Sequence, residues 1–349
     1  WFLPNGYKEA VVMTGDDHNV TPGGTEIRFN EYMGLGPNSP ADVADWKAIR
    51  GTSYVYAQGV NIPNDSIAYY QNQGFEIALH PTTNCTDFTE SSLGSDISSQ
   101  LSQLQSERPS LLAPVTNRTH CMPWSDWSTH AKVENALGMR FDVNYYYWPD
   151  TWVQDRPGLF TGSGMPMRFS TLNGTLIDGY QAPTQIPDES GLNISNTINT
   201  LLNNAINLGY YGVFVANMHM EQPIHPGSDA ITSAAISKGI PVVSSKQMLT
   251  WLDSRNNTVF SSMTWTADTK LNFTITTSAH NLQAMVPMNS DNGTLQTVEE
   301  GGNSIGFTPQ TVKGIAYGVF PASTNSYVAT YTSTPLPIIL LSFTATKQG

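Results

Sequence analysis

The stretch Lys8–His18, KEAVVMTGDDH, decides the fold class of the first part of this chain. Its apolar run, Ala10–Met13, predicts a buried β-strand, and a short polar segment with Asp16 and Asp17 follows. A buried strand with polar residues at its carboxyl end is typical of α/β proteins built around a parallel sheet. We therefore expect this stretch to be a strand of such a sheet, with its polar residues at the sheet's edge.

The pattern of the first strand recurs along the chain. From Lys8 to about Arg255, short apolar runs alternate with amphipathic segments, which is typical of βα units. FEIALH, at 75–80, predicts another buried strand, and so does YGVFVANMH, at 211–219. Apolar residues between 93 and 104 recur at helical spacing. The pattern predicts an α/β domain over residues 1–255, a distorted (β/α) barrel.

The pattern of apolar and polar residues changes after residue 255. Thr-rich segments such as KLNFTITTSA and SYVATYTST alternate apolar and polar residues, and Gly, Asn and Pro turns separate them. Alternation with closely spaced turns indicates antiparallel strands. We predict an Ig-like antiparallel β-sandwich, an accessory domain, over residues 256–349.

The charge of the chain excludes some classes of partner. The 349 residues carry a formal net charge of −12, and the 16 Lys and Arg residues are scattered. Nucleic acids and anionic membrane surfaces are bound by a concentrated positive field, so we expect neither as a partner. Apolar runs fall well short of the roughly 20 residues that cross a bilayer, so we expect no membrane span. The oligomeric state stays open.

The number of cysteines and the overall composition indicate in which cellular compartment the protein works. The chain has two cysteines, Cys85 and Cys121, together with few lysines and abundant Ser, Thr and Asn. This combination is typical of secreted proteins, in which cysteines pair. We expect an extracellular or cell-surface location and a Cys85–Cys121 disulfide.

Polar and titratable residues follow several of the predicted strands. They are Asp16, Asp17 and His18 after the first strand, His80 after FEIAL, Arg118 and His120 in VTNRTHCMPW, and His219 after GVFVANM. Taken singly, each is typical of a solvated loop, a helix cap or a hydrogen-bonded structural histidine. Taken together they favour a site, because burying such groups without partners costs several kcal/mol. A metal ion would supply the partner.

The same segments resemble the motifs of a known family, the polysaccharide deacetylases of the carbohydrate esterases, which include chitin and peptidoglycan deacetylases. The resemblance covers about residues 8–255 and keeps the order of the motifs. The segments that carry it are VVMTGDDH, EIALH, NRTH, RFDVNYY and VFVANMH. It implies a metal-dependent hydrolase that removes acetyl groups from an N-acetylated polysaccharide or oligosaccharide.

The resemblance also implies a role for individual residues. Asp16 would be the catalytic base, and Asp17 and His80 would be ligands of a divalent metal, which we expect to be zinc. Arg118 would orient Asp16 and keep it ionised. His219 would be the general acid that protonates the leaving group.

The chain departs from the family's pattern at Asn84. The second motif of the family has a histidine four residues after its first, whereas Asn84 follows His80 at that spacing. A disulfide holds two Cα atoms about 4.4–6.8 Å apart, so a Cys85–Cys121 bond would bring His120 close to Asn84. We therefore predict His120 as the third metal ligand. The alternative is a surface or supporting His120 beside a purely structural disulfide.

Other residues are candidates for contact with substrate. His18 follows the Asp pair and would bind either the metal or the substrate, and Asn84 would line the site. Aromatic side chains stack on sugar rings, which makes Trp124, Trp127 and Trp148 candidates for a glycan groove. Packing in the core or at a domain interface is the alternative for these three.

Two other functions fit parts of the sequence. A metal-free carbohydrate-binding or adhesion protein with a degenerate deacetylase fold is favoured by Asn84. A hydrolase of another C–N amide bond, such as a cyclic ureide or imide, would use the same residues. The secreted character and the second domain argue against this last alternative.

Overall fold

The computed structural model describes residues 1–121, 123–144, 164–209, 211–291 and 293–332. The chain forms two compact units. The larger holds Phe2 and Tyr7–Asp253, and the smaller holds Trp1, Leu3–Gly6 and the described residues from Ser254 onward. Trp148, a predicted substrate contact, lies outside the described residues.

The larger unit is an α/β structure. Its described strands are β1 (Glu9–Asp17), β2 (Thr52–Val55), β3 (Glu76–Leu79), β4 (Thr116–Asn117), β5 (Phe141–Asp142), β6 (Met167–Ser170), β7 (Leu176–Gln181), β8 (Thr184–Pro187), β9 (Gly212–Asn217) and β10 (Val242–Val243). The helices that begin in it are α1 (Gly24–Gly34), α2 (Pro40–Ala44), α3 (Asn64–Asn72), α4 (Glu90–Glu107), α5 (Thr129–Ala136), α6 (Ile194–Leu208), α7 (Pro226–Lys238) and α8 (Ser245–Asn256). A short 3-10 turn, Asp188–Ser190, follows β8.

The strands of the larger unit form two sheets. The main sheet has the order β3-β2-β1-β9-β8, with β10 also paired to β1, and all of its pairings are parallel. The second sheet has the order β4-β5-β7-β6, in which β6 alone runs antiparallel to its neighbour. The parallel sheet confirms the α/β class.

Two backbone hydrogen bonds connect residues of these two sheets or of the segments that follow their strands. The His120 N–H donates to the Pro81 carbonyl at 2.8 Å, and the Thr184 N–H donates to the Asn144 carbonyl at 3.4 Å. Residues 80–82 and 118–120 therefore lie side by side, although they belong to different sheets. The described strands do not form one continuous closed ladder, so the barrel stays a prediction.

The first strand is buried along its whole length. All nine residues of β1 are buried, and β2 and β9 flank the strand on its two edges. The sheet is tightest at Gly15, where a Cβ atom would lie 2.4 Å from the Met218 carbonyl oxygen. Only glycine allows β1 and the chain after β9 to approach this closely. That approach brings the residues after both strands together.

The smaller unit contains two antiparallel sheets. One has the order β11-β12-β19-β15-β14 with β16 on β15, and the other has the order β13-β18-β17. The strands are β11 (Val259–Thr266), β12 (Lys270–Thr276), β13 (Gln283–Pro287), β14 (Asn289–Ser290), β15 (Gly293–Glu300), β16 (Asn303–Ile305), β17 (Thr308–Val312), β18 (Ile315–Pro321) and β19 (Asn325–Tyr331). Phe273, Phe320 and Tyr327 are buried in this unit. Their packing as an Ig-like sandwich stays a prediction.

In the part of the chain that the structure describes, no helix has both the length and the apolar character that crossing a bilayer requires.

Candidate active site

Asp16 lies at the carboxyl end of β1 and is buried. The Arg118 Nε atom lies 2.6 Å from its Oδ1 and donates to its Oδ2 at 2.8 Å. The Asn217 amide donates to Oδ2 at 3.1 Å. Burial alone would raise the pKa of Asp16, but the Arg118 charge outweighs it and holds that pKa well below its usual range. Asp16 is therefore an ionised carboxylate in a buried position.

His80 comes directly after β3 and is fully buried. Its Nδ1 atom lies 2.7 Å from the Arg118 carbonyl oxygen. Since a carbonyl oxygen only accepts, Nδ1 carries the proton and Nε2 carries the lone pair. Nε2 lies 3.7 Å from Asp16 Oδ2. Burial lowers the pKa of His80 to about 4, so the ring is neutral at pH 7.

His219 follows β9, the strand that pairs with β1, and its ring lies near Asp16. Its Nε2 atom lies 4.0 Å from Asp16 Oδ2, and its Nδ1 lies 2.7 Å from Asp188 Oδ1. The His219 N–H also donates to Asp188 Oδ2 at 2.7 Å. Burial lowers the pKa of His219, but the bond to Asp188 and the charge of Asp16 prevail and raise it to about 9. The ring is therefore protonated at neutral pH.

His120 lies beside His80, as the cysteine argument predicts. The Cys85–Cys121 disulfide is present, with its Cα atoms 5.1 Å apart, which confirms that prediction. His120 forms an isolated parallel bridge with Thr82, and its ring centre lies 5.5 Å from that of His80. The contact between the two loops thus consists of a backbone bridge and the disulfide.

Asn84 is exposed and has a left-handed backbone, with φ of 55°. Its N–H donates to Thr82 Oγ1 at 3.0 Å, which closes a tight turn. The turn directs the chain to Cys85. A role of Asn84 in substrate binding stays a prediction.

His18 is attached to a residue that the sequence patterns do not single out, Glu221. Its Nδ1 atom lies 2.6 Å from Glu221 Oε1, and its backbone N–H donates to the same oxygen at 2.8 Å. The His18 ring centre lies 5.4 Å from that of His80 and 5.2 Å from that of His120. It also lies 5.4 Å from the ring centre of His219. His18 therefore lies at the centre of the group of histidines.

Asp17 has other partners. Its Oδ2 accepts a hydrogen bond from Thr25 Oγ1 at 2.7 Å, and its Oδ1 accepts one from the Asn19 N–H at 2.8 Å. Burial raises the pKa of this carboxyl. These contacts tie the end of β1 to the start of α1. The role of Asp17 as a metal ligand stays a prediction.

Three groups of side chains in the described ranges have possible ligand atoms within 4.8 Å of one another. They are Cys85, His120 and Cys121; His130, Glu134 and Asp142; and Asp188, Glu189 and His219. The sulfurs of the first group are already joined to each other. The predicted ligand set, Asp17, His80 and His120, does not reach this proximity.

The second of these groups, the His130 cluster (His130, Glu134 and Asp142), is completely buried. His130 Nδ1 lies 2.8 Å from Glu134 Oε1, and His130 Nε2 lies 3.2 Å from Thr119 Oγ1. Burial, and next the charge of Glu134, raise the pKa of Asp142 to about 8. Asp142 is therefore neutral at pH 7, in contrast with Asp16.

Two of the predicted aromatic contacts, Trp124 and Trp127, lie within the described residues. Trp124 packs against His130, at 5.4 Å between ring centres, and against Phe169, at 6.2 Å. Trp127 is 60% exposed, and its Nε1 donates to the Ser170 carbonyl at 2.8 Å. An exposed indole suits a stacking surface, whereas Trp124 is part of the packing around the His130 cluster. Glycan binding by either residue stays a prediction.

The residues that sequence reasoning missed follow strands in the same way as those it found. Asp188 and Glu189 come directly after β8, as Asp16 and Asp17 end β1. Glu221 follows His219 by two residues. β8 has only four residues and ends in Pro187, so its pattern was too short to predict a strand. The acidic pair after it was the available signal.

Solved structures similar to this chain include a protein described as a polysaccharide deacetylase from Mycobacterium smegmatis, with 16% identity and a TM-score of 0.47 over 73% of this chain and 93% of that chain. A chitin deacetylase from Colletotrichum lindemuthianum has 13% identity and a TM-score of 0.40, over 69% and 85% of the two chains. A variant of a peptidoglycan deacetylase from Bacillus subtilis has 10% identity and a TM-score of 0.39, over 73% and 96%. No family model and no curated protein matches the sequence. Because these similarities are low, the chemistry of the site rests on its own side chains.

Proposed function

We propose that this protein is a secreted, metal-dependent hydrolase that removes acetyl groups from an N-acetylated polysaccharide or oligosaccharide. The observation that carries the proposal is a buried carboxylate between a cation and a proton donor. Asp16 is held ionised by Arg118 and lies 4.0 Å from the protonated His219. This is the arrangement that base-and-acid hydrolysis of an amide or ester requires.

Two histidines near Asp16 support the proposal of a divalent metal. His80 Nε2 and His120 Nδ1 are buried and have no hydrogen-bond partner among the described residues. Imidazole nitrogens suit zinc, and a third ligand would come from the residues at the end of β1, where the motif resemblance favours Asp17. When bound, the metal would supply a polarised acetyl carbonyl and a water of lowered pKa.

Asp16 would take the proton of the attacking water. Its low pKa is a consequence of the Arg118 contact. Arg118 Nη1 also donates to Thr184 Oγ1 at 2.9 Å, which holds the guanidinium in place beside the carboxylate. The buried position excludes bulk water around the carboxylate, which strengthens its electrostatic interactions. Asp16 is thus the residue that would accept the first proton.

His219 would return a proton to the leaving amine or alkoxide. Its Nδ1–H donates to Asp188, so the second proton of the imidazolium is on Nε2, the atom nearer Asp16. Asp188 also accepts from the His219 backbone and lies 3.2 Å from His225 Nε2. It therefore positions the acid and stabilises its charged form.

The proposal is tested by acetate release. Purified protein is incubated with N-acetylated chitin oligosaccharides and, separately, with acetylated xylan, before and after dialysis against a chelator. We expect acetate release that the chelator abolishes and that added zinc restores. Protein that binds these glycans but releases no acetate with any divalent metal would support the metal-free binding protein instead, and hydrolysis of a cyclic imide alone would support the other amide hydrolase.

A further inference from the structure

The segment after His219 returns to the site through a second histidine, His225. This residue comes six positions after His219, directly before α7, and it is buried. Its Nε2 atom lies 3.2 Å from Asp188 Oδ2, the oxygen that also accepts the His219 backbone N–H. Asp188 Oδ1 lies 2.7 Å from His219 Nδ1. The Asp188 carboxylate therefore lies between two imidazole rings, one of which belongs to the proposed acid.

The second ring nitrogen of His225 determines where its proton is. His225 Nδ1 accepts the backbone N–H of Gly227 at 3.0 Å and that of Ser228 at 3.4 Å. Since a backbone N–H only donates, Nδ1 carries the lone pair and the ring proton is on Nε2. Nε2 is therefore the donor in the contact with Asp188, and the ring that makes this contact is neutral.

The position of the His225 ring is set by the start of α7. His225 is the N-cap residue of this 13-residue helix, and Pro226 is the first helical residue, where its fixed φ is favourable. A Cβ atom on Gly227 would lie 2.9 Å from His225 Cε1 and 2.9 Å from Met218 Sδ. Glycine at this position leaves the space that the ring fills. The helix start thus holds the ring against Asp188.

Asp188 accepts hydrogen bonds from two separate segments of the chain, the turn after β9 and the start of α7. Burial would raise the pKa of Asp188, but the hydrogen bonds from His219 and next from His225 hold that pKa well below its usual range. A carboxylate with partners in two segments cannot rotate without losing one of them. Supporting hydrogen bonds of this kind fix the geometry of a residue that acts on substrate.

We propose that His225 is a positioning residue for the acid: held by the start of α7, it fixes Asp188, and Asp188 in turn directs His219 Nε2 towards Asp16. The inference rests on the proposed function, in which His219 protonates the leaving group. His225 itself takes no part in proton transfer, because Nε2 faces Asp188 and Nδ1 is bonded to the backbone. Its effect on turnover passes through Asp188.

The test separates this role from the capping of α7. Asn and Ser cap helices well, so His225→Asn and His225→Ser keep the cap, but their shorter side chains do not reach Asp188. With N-acetylated chitin oligosaccharides we expect kcat for acetate release to fall about tenfold in both variants, while KM stays within about twofold. Their thermal melts should match the wild type. His280→Asn, at an exposed position in the smaller unit, is the control and should keep kcat. Wild-type kcat in both capping variants would overturn the inference.

A double-mutant cycle shows whether His225 acts through Asp188. In the Asp188→Asn background, His225→Asn should cause no further loss of kcat beyond about twofold, since the group that it positions is already gone. A full tenfold loss on top of Asp188→Asn would mean that His225 acts independently of Asp188 and would overturn the inference.

Proton NMR gives a readout that does not depend on turnover. The ring proton on His219 Nδ1, assigned by its loss in His219→Ala, should exchange faster with water in His225→Asn than in the wild type. A signal that is identical in both proteins, or absent from the wild type, would overturn the inference. Wild-type protein that releases no acetate would overturn the proposed function instead, and the exchange rates would still decide whether His225 positions the pair of Asp188 and His219.

Discussion

Asp16 and Asp142 are buried near the carboxyl ends of parallel strands in the larger unit, and their protonation states are opposite. Asp16 is the last residue but one of β1 and lies beside Arg118, and Asp142 ends β5 beside Glu134. Burial raises both pKa values, but a cation outweighs it at Asp16, whereas the neighbouring anion adds to it at Asp142. Strand position alone therefore does not make a reactive carboxylate. The partner charge decides.

The histidines near these aspartates differ in the same way. Both nitrogens of His130 lie within 3.2 Å of an oxygen, from Glu134 and from Thr119. Each of His18 and His80 has one supported nitrogen and one that is buried without a hydrogen bond among the described residues. The Glu134 carboxylate, 2.8 Å from His130 Nδ1, stabilises the charged form of that ring, whereas the carboxylate nearest His80 Nε2 is that of Asp16, at 3.7 Å.

The largest expected effect is that of Asp16→Asn. Because the amide cannot take a proton, kcat for acetate release should fall about 1,000-fold, equivalent to about 4 kcal/mol. Zinc content, measured by mass spectrometry of the metal, should remain close to that of the wild type. Asp142→Asn is the matched control, since an amide resembles the neutral carboxyl in shape, and it should keep kcat within about threefold. An equal loss in both variants would remove the distinction between the two aspartates.

The second prediction concerns stability. Glu134→Gln leaves His130 without its anionic partner, which should lower the free energy of unfolding by about 3 kcal/mol near pH 6, measured by urea titration. Glu134 raises the pKa of the buried His130 against the effect of burial. The stabilisation is therefore complete below the unfolded pKa and is lost as the pH rises through the folded one. A destabilisation that grows towards alkaline pH would contradict this assignment.

The third prediction concerns the acid. Asp188→Asn removes the hydrogen bond that contributes most to raising the pKa of His219 to about 9. Since His219 acts in its protonated form, activity should decline at a lower pH, by about one pH unit, in the profile of kcat/KM. His219→Ala should remove the alkaline limb altogether. An Asp188→Asn profile that coincides with the wild type would show that Asp188 has only a structural role.

The smallest expected effect is that of the disulfide. Replacing Cys85 and Cys121 together by Ser should weaken zinc binding by about tenfold or less, because the backbone bridge between Thr82 and His120 remains. Reduction of the wild-type protein with a phosphine should reproduce the change. A loss of zinc as large as that in His80→Ala would mean that the disulfide, and not the strand ends, positions His120.

Much of the larger unit and of the site was accessible from local patterns. The buried runs predict the parallel strands, and the polar residues that follow them include Asp16, His80, Arg118, His120 and His219. A run of apolar residues reports the burial of its own segment, so strand ends are readable without knowledge of the neighbours. A strand as short as β8, which has four residues and ends in Pro187, is not predicted by the spacing of its apolar residues. Asp188 follows this strand and was missed for that reason.

By itself, the sequence determined the α/β class, the disulfide between its two cysteines and the set of polar residues that end the strands. Only the tertiary structure decided how these residues are paired. Asp16 and Arg118 are 102 residues apart, and His18 and Glu221 are 203 residues apart. Such contacts depend on the order of strands in the sheets, and this order sets which charge faces each buried carboxyl and which nitrogens stay free. Burial is encoded locally, whereas the electrostatic partner of a buried group is not.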